Sequence, residues 1–452
     1  MDKITGHTLI GLGYSPGKWF KHVLKEANER KLSIPEIIEL AEQYKPAPKL
    51  ELHPNPIEYK QNIVATTSDE VVNLDAVRRD MDIVMKTPTV VDGVIMPDAC
   101  PTGQKGTIPV GGVIVTKNSI HPSMHSSDMC CSVYATNFGK SDPKRVLDAA
   151  QSITHFGPGG RKEHKKFSAK IYDDKYFHEA LLSNYFTKDY VEKAYSHLGT
   201  QGDGNHFLFV GISEKTGDTY MVTHHGSRGF GASVYKKGLH TAKKLTHQIS
   251  PDTPEYNAWI PYNDPEGQLY WEAILIVRQW TKLNHMSIHE KVLHAVRSPN
   301  HGSFWNEHNS VFKRDRLFYH AKGATPLAED FLPDSYKGLR LIPLSMNQPI
   351  LVVKGEATDT NLGFAPHGAG RNVSRKAHRE RNASISDEEM FRRETKGLDV
   401  RFYSGNIDIT ELPSAYKNAE SVQNQIQQFG LGEVLDRIQP YGCIMAGNWK
   451  RK

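Results

Sequence analysis

The chain has 452 residues, 38% of them hydrophobic, and a formal net charge of +5. That is enough apolar content for one large core or two ordinary domains, and the mild positive charge permits a polyanionic partner without demanding one. Mean hydropathy is negative, no apolar run approaches the roughly 18 residues a membrane span needs, and the opening "MDKITGHTLIGLGYSPGKW" lacks the order of a signal peptide, so a membrane-bound or exported protein is not expected.

Residues 1–46 read as a small helical unit. "GHTLIGLG" and "FKHVLKEANERK" precede "SIPEIIELAEQY", a helix with Ser33 as cap and Pro35 in its first turn. "KPAPKLELHPNP" follows, and residues 47–59 are taken as a proline-rich linker. From residue 60 to 452 a mixed α/β (α+β) catalytic domain is expected. Short β-branched runs ("GGVIVT", "HFLFVG", "YMVTHH", "QPILVV") are broken there by glycine-rich loops, and "LYWEAILIVRQWTKLNHMSIHEKVLHAVR" carries the three-and-four spacing of a long helix.

The unusual residues sit in those loops. Asp98 lies in "MPDACPTGQKG", Asp128 and Cys131 in "HSSDMCCSV", and Asn205 and His206 in "GTQGDGNHF". His224 and Arg228 lie in "VTHHGSRGFG", and His308 and Asn309 in "NEHNSVFK". Asp, Cys and His are transition-metal ligands. None of them here has the short spacing of structural zinc, so a site made from them is assembled from distant loops. The four cysteines form no C-x-x-C pair and no disulfide framework. A cytoplasmic location, where thiols stay reduced and can bind metal, is expected.

His367 opens "HGAGRNVSRKAHRER". Glycines at 368 and 370 leave backbone N–H groups free, and a helix is expected to begin near Arg371, with Arg371, Arg375 and Arg379 on one face. Arginine forks match phosphate oxygens in two-point contacts. A neutral imidazole at such a place is a nucleophile for phosphorus, giving a phosphoramidate. From these residues alone the reading is metal-dependent phosphoryl chemistry, with manganese and zinc both open.

In order along the chain stand MPD (96–98), D-x-x-C (128–131), G-x-G-N-H-F (202–207), H-x-G-S-R-G (224–229), HN (308–309), KGAT (322–325), P-x-S-M (343–346) and HGAGR-x-x-SR (367–375). Together they resemble the RtcB-type RNA ligases, over roughly residues 60–452. The resemblance implies that family's α/β fold and the sealing of an RNA 3′-phosphate or 2′,3′-cyclic phosphate to a 5′-hydroxyl, in RNA repair or tRNA splicing. It implies GTP, two manganese ions, and a monomer acting on broken RNA such as tRNA. His367 corresponds to the guanylylated histidine, with Asp98 beside it. Cys131 corresponds to a ligand bridging both metals, with Asp128 and His206 on one, and His224 and His308 on the other. Asn205, Phe207, Asn309, Pro343, Ser345, Met346, Gly368, Ala369 and Gly370 fall at nucleotide-pocket positions. Arg228, Arg371 and Arg375 fall where phosphates are held.

Several positions depart from the pattern. Phe209 replaces an acidic residue on the guanine edge, Ala446 a lysine, Ile350 a serine, Ala321 an arginine and Cys100 a histidine, while Phe364, Ala365 and Pro366 stand ahead of the nucleophile. Without polar partners for a base edge, discrimination between bases falls. Alternatives are a diverged paralogue using another nucleotide, a two-metal phosphohydrolase and a non-ligating RNA-binding protein. The N-terminal "G-x-x-L-I-x-x-G-Y-x-P-G" is weakly similar to small helical modules of tRNA-processing enzymes.

Overall fold

The computed structural model of the chain describes residues 3–45, 49–164, 167 and 174–449. Residue 46, the end of the expected helical unit, and residues 47 and 48, the start of the expected linker, lie outside them. The chain divides into two compact units, one made of Met1–Glu51 with Gln248–Pro251 and the other of Leu52–His247 with Asp252–Lys452.

The small unit is helical. Helices Gly6–Gly11, Phe20–Arg30 and Ile34–Tyr44 bury Leu9, Val23, Ala27, Ile37 and Ala41 completely. Ser33 caps the third through a reciprocal box with Glu36, and Pro35 sits in its first turn.

The large unit is built on two sheets. The first runs Lys60–Gln61, Val90–Cys100, Val110–Lys117, Leu317–Lys322, Asn309–Arg314; only its first pair is parallel. The second runs Arg340–Pro343, Ile350–Lys354, Glu433–Met445, Phe207–Ser213, Thr219–His225, Ser132–Asn137, Ser303–Glu307, antiparallel throughout, with Asp399–Phe402 added parallel to Glu433–Met445.

Strand alternation divides the second sheet into two faces. Leu208, Val210, Ile444 and Ala446 pack with Val146 and Leu147 of helix Pro143–Ile153 and with Ile288 and Val292 of helix Pro265–Val296. Phe209, Val222, Ile350, Cys443 and Met445 form the opposite face. A short pairing of Ala324–Pro326 with Phe364–Pro366 delivers His367 directly from a strand end. Among the described residues no helix is long and apolar enough to cross a membrane.

Candidate active site

The strand register brings the distant loops together. Phe207 pairs with His224, and Ser132 with both His225 and Glu307. The residues just outside these strands, His206, Cys131 and His308, therefore gather at one end of the sheet. Their ligand atoms form two groups, Asp128–Cys131–His206 and Cys131–His224–His308, each with all atoms within 4.8 Å of one another. Cys131 belongs to both. Its Sγ is 3.2 Å from His224 Nε2 and 3.7 Å from His206 Nε2. His206 Nε2 lies 3.1 Å from Asp128 Oδ2, and His224 Nε2 lies 3.2 Å from His308 Nε2.

This donor set fits divalent cations. His206 Nδ1 donates to the Gln201 carbonyl at 2.7 Å and His224 Nδ1 to that of Asn205 at 3.1 Å. Those bonds leave each Nε2 as a lone pair aimed inward, the usual orientation of a metal-binding imidazole. Burial pulls His224 down to about 3, helped by the neighbouring His206 and His367, and holds His308 well below the ordinary range. Asp128 is held at about 2, against its burial, by positive charge at His206 Nε2, the place a bound cation would take. Burial and Asp128 push the Cys131 thiol well above its usual value. Opposed lone pairs beside a carboxylate and a thiol are mutually repulsive or poorly paired, and a bound cation removes the conflict by deprotonating the thiol and accepting the lone pairs.

Backbone strain collects around these donors. Ser126, Cys130 and Arg228 all have left-handed φ, at 75°, 54° and 57°. Gly226 has a different reason for being glycine: a Cβ there would stand 1.8 Å from Asp128 Oδ1. Gly226→Ala should therefore displace Asp128 and weaken cation binding at its group by about tenfold, an effect of the size expected for ligand-supporting positions; calorimetric titration with manganese checks it.

The adjacent "HH" is split by strand alternation. His224 turns to the donor cluster, whereas His225 turns to the core and stacks on His285 at 3.5 Å between ring centroids. His285 bonds Thr223 and Ser132, and His289 bonds Thr223 and Thr136. These buried histidines hold helix Pro265–Val296 to the sheet.

Beside the cluster opens a cavity of about 710 Å³. His367 stands on its wall. Its Nδ1 is 2.6 Å from Asp98 Oδ2, and the same oxygen accepts from the N–H of His367 at 3.0 Å and of Gly368 at 3.3 Å. Asp98 is fully buried. It holds the imidazole by Nδ1, so that the lone pair of the neutral ring is on Nε2. The His367 ring lies 4.9 Å from that of His308, so His367 and the donor cluster adjoin. Gly370 approaches so closely that a Cβ would stand 2.0 Å from the Asp98 carbonyl oxygen, and its φ of +71° suits glycine. Lys417, buried, donates to the Pro97 and Ala99 carbonyls on either side of Asp98 at 3.0 and 2.8 Å, while its N–H bonds the Gly370 carbonyl.

Asn205, Phe207, Pro343, Ser345, Met346, His367, Gly368, Ala369, Gly370, Arg371 and Arg375 all line the cavity. Asn309 does not: its amide bonds the Asp128 carbonyl and receives the Gly323 N–H, bracing the donor loop. Arg228 is also elsewhere, bonded to Thr200 and the Gly157 carbonyl next to His206. The helix expected near Arg371 begins only at Arg375, with Ser374 capping it through the Ala377 N–H. The cap decides the start, so Arg371 precedes the helix and shares no helical face. Arg371 and Arg375 instead converge on Glu411, a buried carboxylate 2.9 and 2.8 Å from their guanidinium nitrogens. Arg379 pairs with Asp408 and Arg381 with Asp69. Glu411 and Lys417 were not signalled by the sequence, since each lies in an ordinary-looking segment and acts only through residues far away in the chain.

The family model described as tRNA-splicing ligase RtcB matches residues 80–446. The chain belongs to the RtcB family. Among curated proteins it is 31% identical over 286 residues to tRNA-splicing ligase RtcB of Aeropyrum pernix, covering 54% of this chain and 58% of that protein. The protein of the same name from Archaeoglobus fulgidus is 30% identical over 285 residues, again 54% and 58%. That of Pyrococcus furiosus is 28% identical over 287 residues, 54% of this chain and 29% of the relative. The chain thus spans well under two thirds of these relatives' length.

Within this RtcB-family site one departure moves. Ala446 is buried under the sheet, against the helices, and does not line the cavity; the alternation that turns Cys443 and Met445 to the cavity turns Ile444 and Ala446 away. The apolar floor comes from Phe207, Phe209, Ile350, Cys443 and Met445. Cys100 also lines the cavity. Its thiol is raised by burial, against the pull of Lys417 and the Arg371 N–H.

Proposed function

We propose that this chain is an RNA ligase that joins a 3′-phosphate or 2′,3′-cyclic phosphate end to a 5′-hydroxyl end through a nucleotidyl adduct on His367, with GTP as nucleotide donor, acting in the cytoplasm in RNA repair or tRNA splicing. Residues 60–452 form the catalytic domain in this reading, and the helical N-terminus is an accessory module. The observation that carries it is the buried Asp98 holding His367 by Nδ1 on a cavity wall next to the shared-cysteine donor cluster.

Asp98 orients the ring and selects the tautomer of the neutral imidazole whose lone pair is on Nε2, the role a carboxylate plays toward a catalytic imidazole. Nε2 attacks the α-phosphorus of the nucleotide; the N–P bond forms, the α–β bond breaks, and pyrophosphate leaves. An oxygen of the RNA 3′-phosphate then attacks the same phosphorus, breaking N–P and returning the lone pair to His367. The 5′-hydroxyl attacks the activated RNA phosphate and nucleoside monophosphate departs. A cyclic end is first opened by water. Two manganese ions would be held by Asp128, Cys131 and His206 and by Cys131, His224 and His308, and when bound they supply charge withdrawal from phosphoryl oxygens. The 368–370 loop and the Arg371–Glu411–Arg375 cluster line the cavity where the phosphates would lie, together with Ser345 and Asn205.

A second reading, favoured by the apolar floor at Phe209 and Ile350, is that the nucleotide is not restricted to GTP. One experiment separates the two. Protein and manganese are incubated with each α-labelled ribonucleoside triphosphate in turn, and the denatured band is tested for acid lability. Label from GTP alone supports guanine selection by other contacts. Label from several nucleotides supports relaxed choice. No label from any, in folded, metal-loaded protein, overturns the adduct mechanism.

A further inference from the structure

One long surface helix is left unused by the chemistry above. Arg228–Ile249, "RGFGASVYKKGLHTAKKLTHQI", contains no acidic residue. Its buried residues are Phe230, Gly231, Val234, Gly238, Ala242 and Thr246. At 100° per residue, Lys236, Lys237, His240, Lys243, Lys244 and His247 all fall within an arc of about 120° on the opposite side. The helix starts at the donor cluster, where Arg228 adjoins His206, and runs about 33 Å from it.

Aromatic rings interleave with this charge. Lys237 lies over the Tyr185 ring at 3.9 Å, and Lys243 over the Tyr256 ring at 5.3 Å. Both tyrosines are unusually exposed for their size, 46% and 38%. By helical rise they stand about 14 and 23 Å along the helix from Arg228. Asp189 and Glu255 pair Lys237 and Lys243, holding them against the rings. Lys236 and Lys244 are exposed and have no acidic partner among the described residues.

We infer that this face is a platform for single-stranded RNA, with Lys236 and Lys244 on the phosphates and Tyr185 and Tyr256 under the bases, leading the strand to the donor cluster. A row of cations interleaved with half-exposed rings is the arrangement that binds single strands irrespective of sequence. A solvated helix turns its charge outward in any case; it needs neither charge of a single sign nor exposed rings beside it. The inference takes its ligand from the ligase reading, but its test does not depend on turnover.

The experiment is fluorescence anisotropy of the full chain with a labelled single-stranded RNA of about 12 nucleotides, within the span such platforms occupy, across a salt series. K236Q with K244Q should raise Kd about tenfold and lower the slope of log K against log salt by about 1.4, two phosphate contacts' worth for a single strand. Y185A with Y256A should raise Kd at least tenfold and leave that slope unchanged. Nucleotide labelling of His367 should be the same in both variants as in the parent. Unchanged Kd and slope in both, with folding verified by melting, overturns the platform, as does duplex RNA of equal length competing as well as the single strand. If no nucleotide labels the protein yet both substitutions weaken RNA binding, the ligase reading fails and the platform stands.

Discussion

His367→Ala is expected to abolish both the nucleotide adduct and ligation, a loss of at least about 10⁴-fold, because removing a covalent nucleophile leaves no alternative path through the same intermediate. The protein should still fold. Asp98 keeps two backbone donors, from His367 and Gly368, and the buried Lys417 ammonium bound on either side of it, so the stability cost is about 1–3 kcal/mol, that of one lost bond to a buried group. Manganese content should be close to that of the parent, since His367 belongs to neither donor group. Single-turnover labelling, ligation of a 3′-phosphate RNA and metal analysis on the same preparation check this. A variant that still releases phosphate from RNA ends at the parent rate would point to the phosphohydrolase alternative.

Cys131→Ala should cost both cations at once. Cys131 is the one donor common to the two groups, so its loss leaves Asp128 with His206 and His224 with His308, two protein ligands each. Metal content should fall from two equivalents to less than half of one at micromolar manganese, and labelling of His367 should drop by about 10³-fold, the scale at which one major electrostatic contributor is lost. His308→Ala, by contrast, should release one equivalent and keep the Asp128–Cys131–His206 group. Equilibrium dialysis followed by metal analysis separates these outcomes. Two retained equivalents in Cys131→Ala would mean that the thiol bridges nothing and that the two groups bind independently.

Much of the site was legible because its chemistry is carried by rare side chains at strand ends. The period-two runs placed Phe207–Ser213, Thr219–His225 and Ile350–Lys354; His206 directly precedes the first of these strands and His224 lies near the end of the second, and both belong to the donor groups. What misled was local. The basic run after His367 has helical spacing from Arg371, yet Ser374 takes the cap position and the helix starts at Arg375. The pattern of charge could not reveal Glu411, which lies beyond the whole basic run and binds Arg371 and Arg375 from behind. Asn309, beside His308, braces the donor loop and does not line the cavity.

Taken alone, the sequence determined the mixed α/β class and the capped third helix of the N-terminal unit, because strand and helix periods and cap residues are local signals; it marked His367 and the Asp/Cys/His residues only as candidates for phosphoryl chemistry by side-chain type, and Asp98 was set beside His367 by the resemblance to the RtcB motifs. Only the tertiary structure decided which of the 22 histidines join the donor groups and which brace the core. His224 and His225 are neighbours, but one faces the donor cluster and the other stacks on His285 in the core. His121, His125 and His320 are likewise buried and bonded within the body. The physical reason is that an imidazole's role depends on what meets each of its nitrogens. Those partners come from strands and loops up to 269 residues apart, as Asp98 and His367 are, and only packing brings them together.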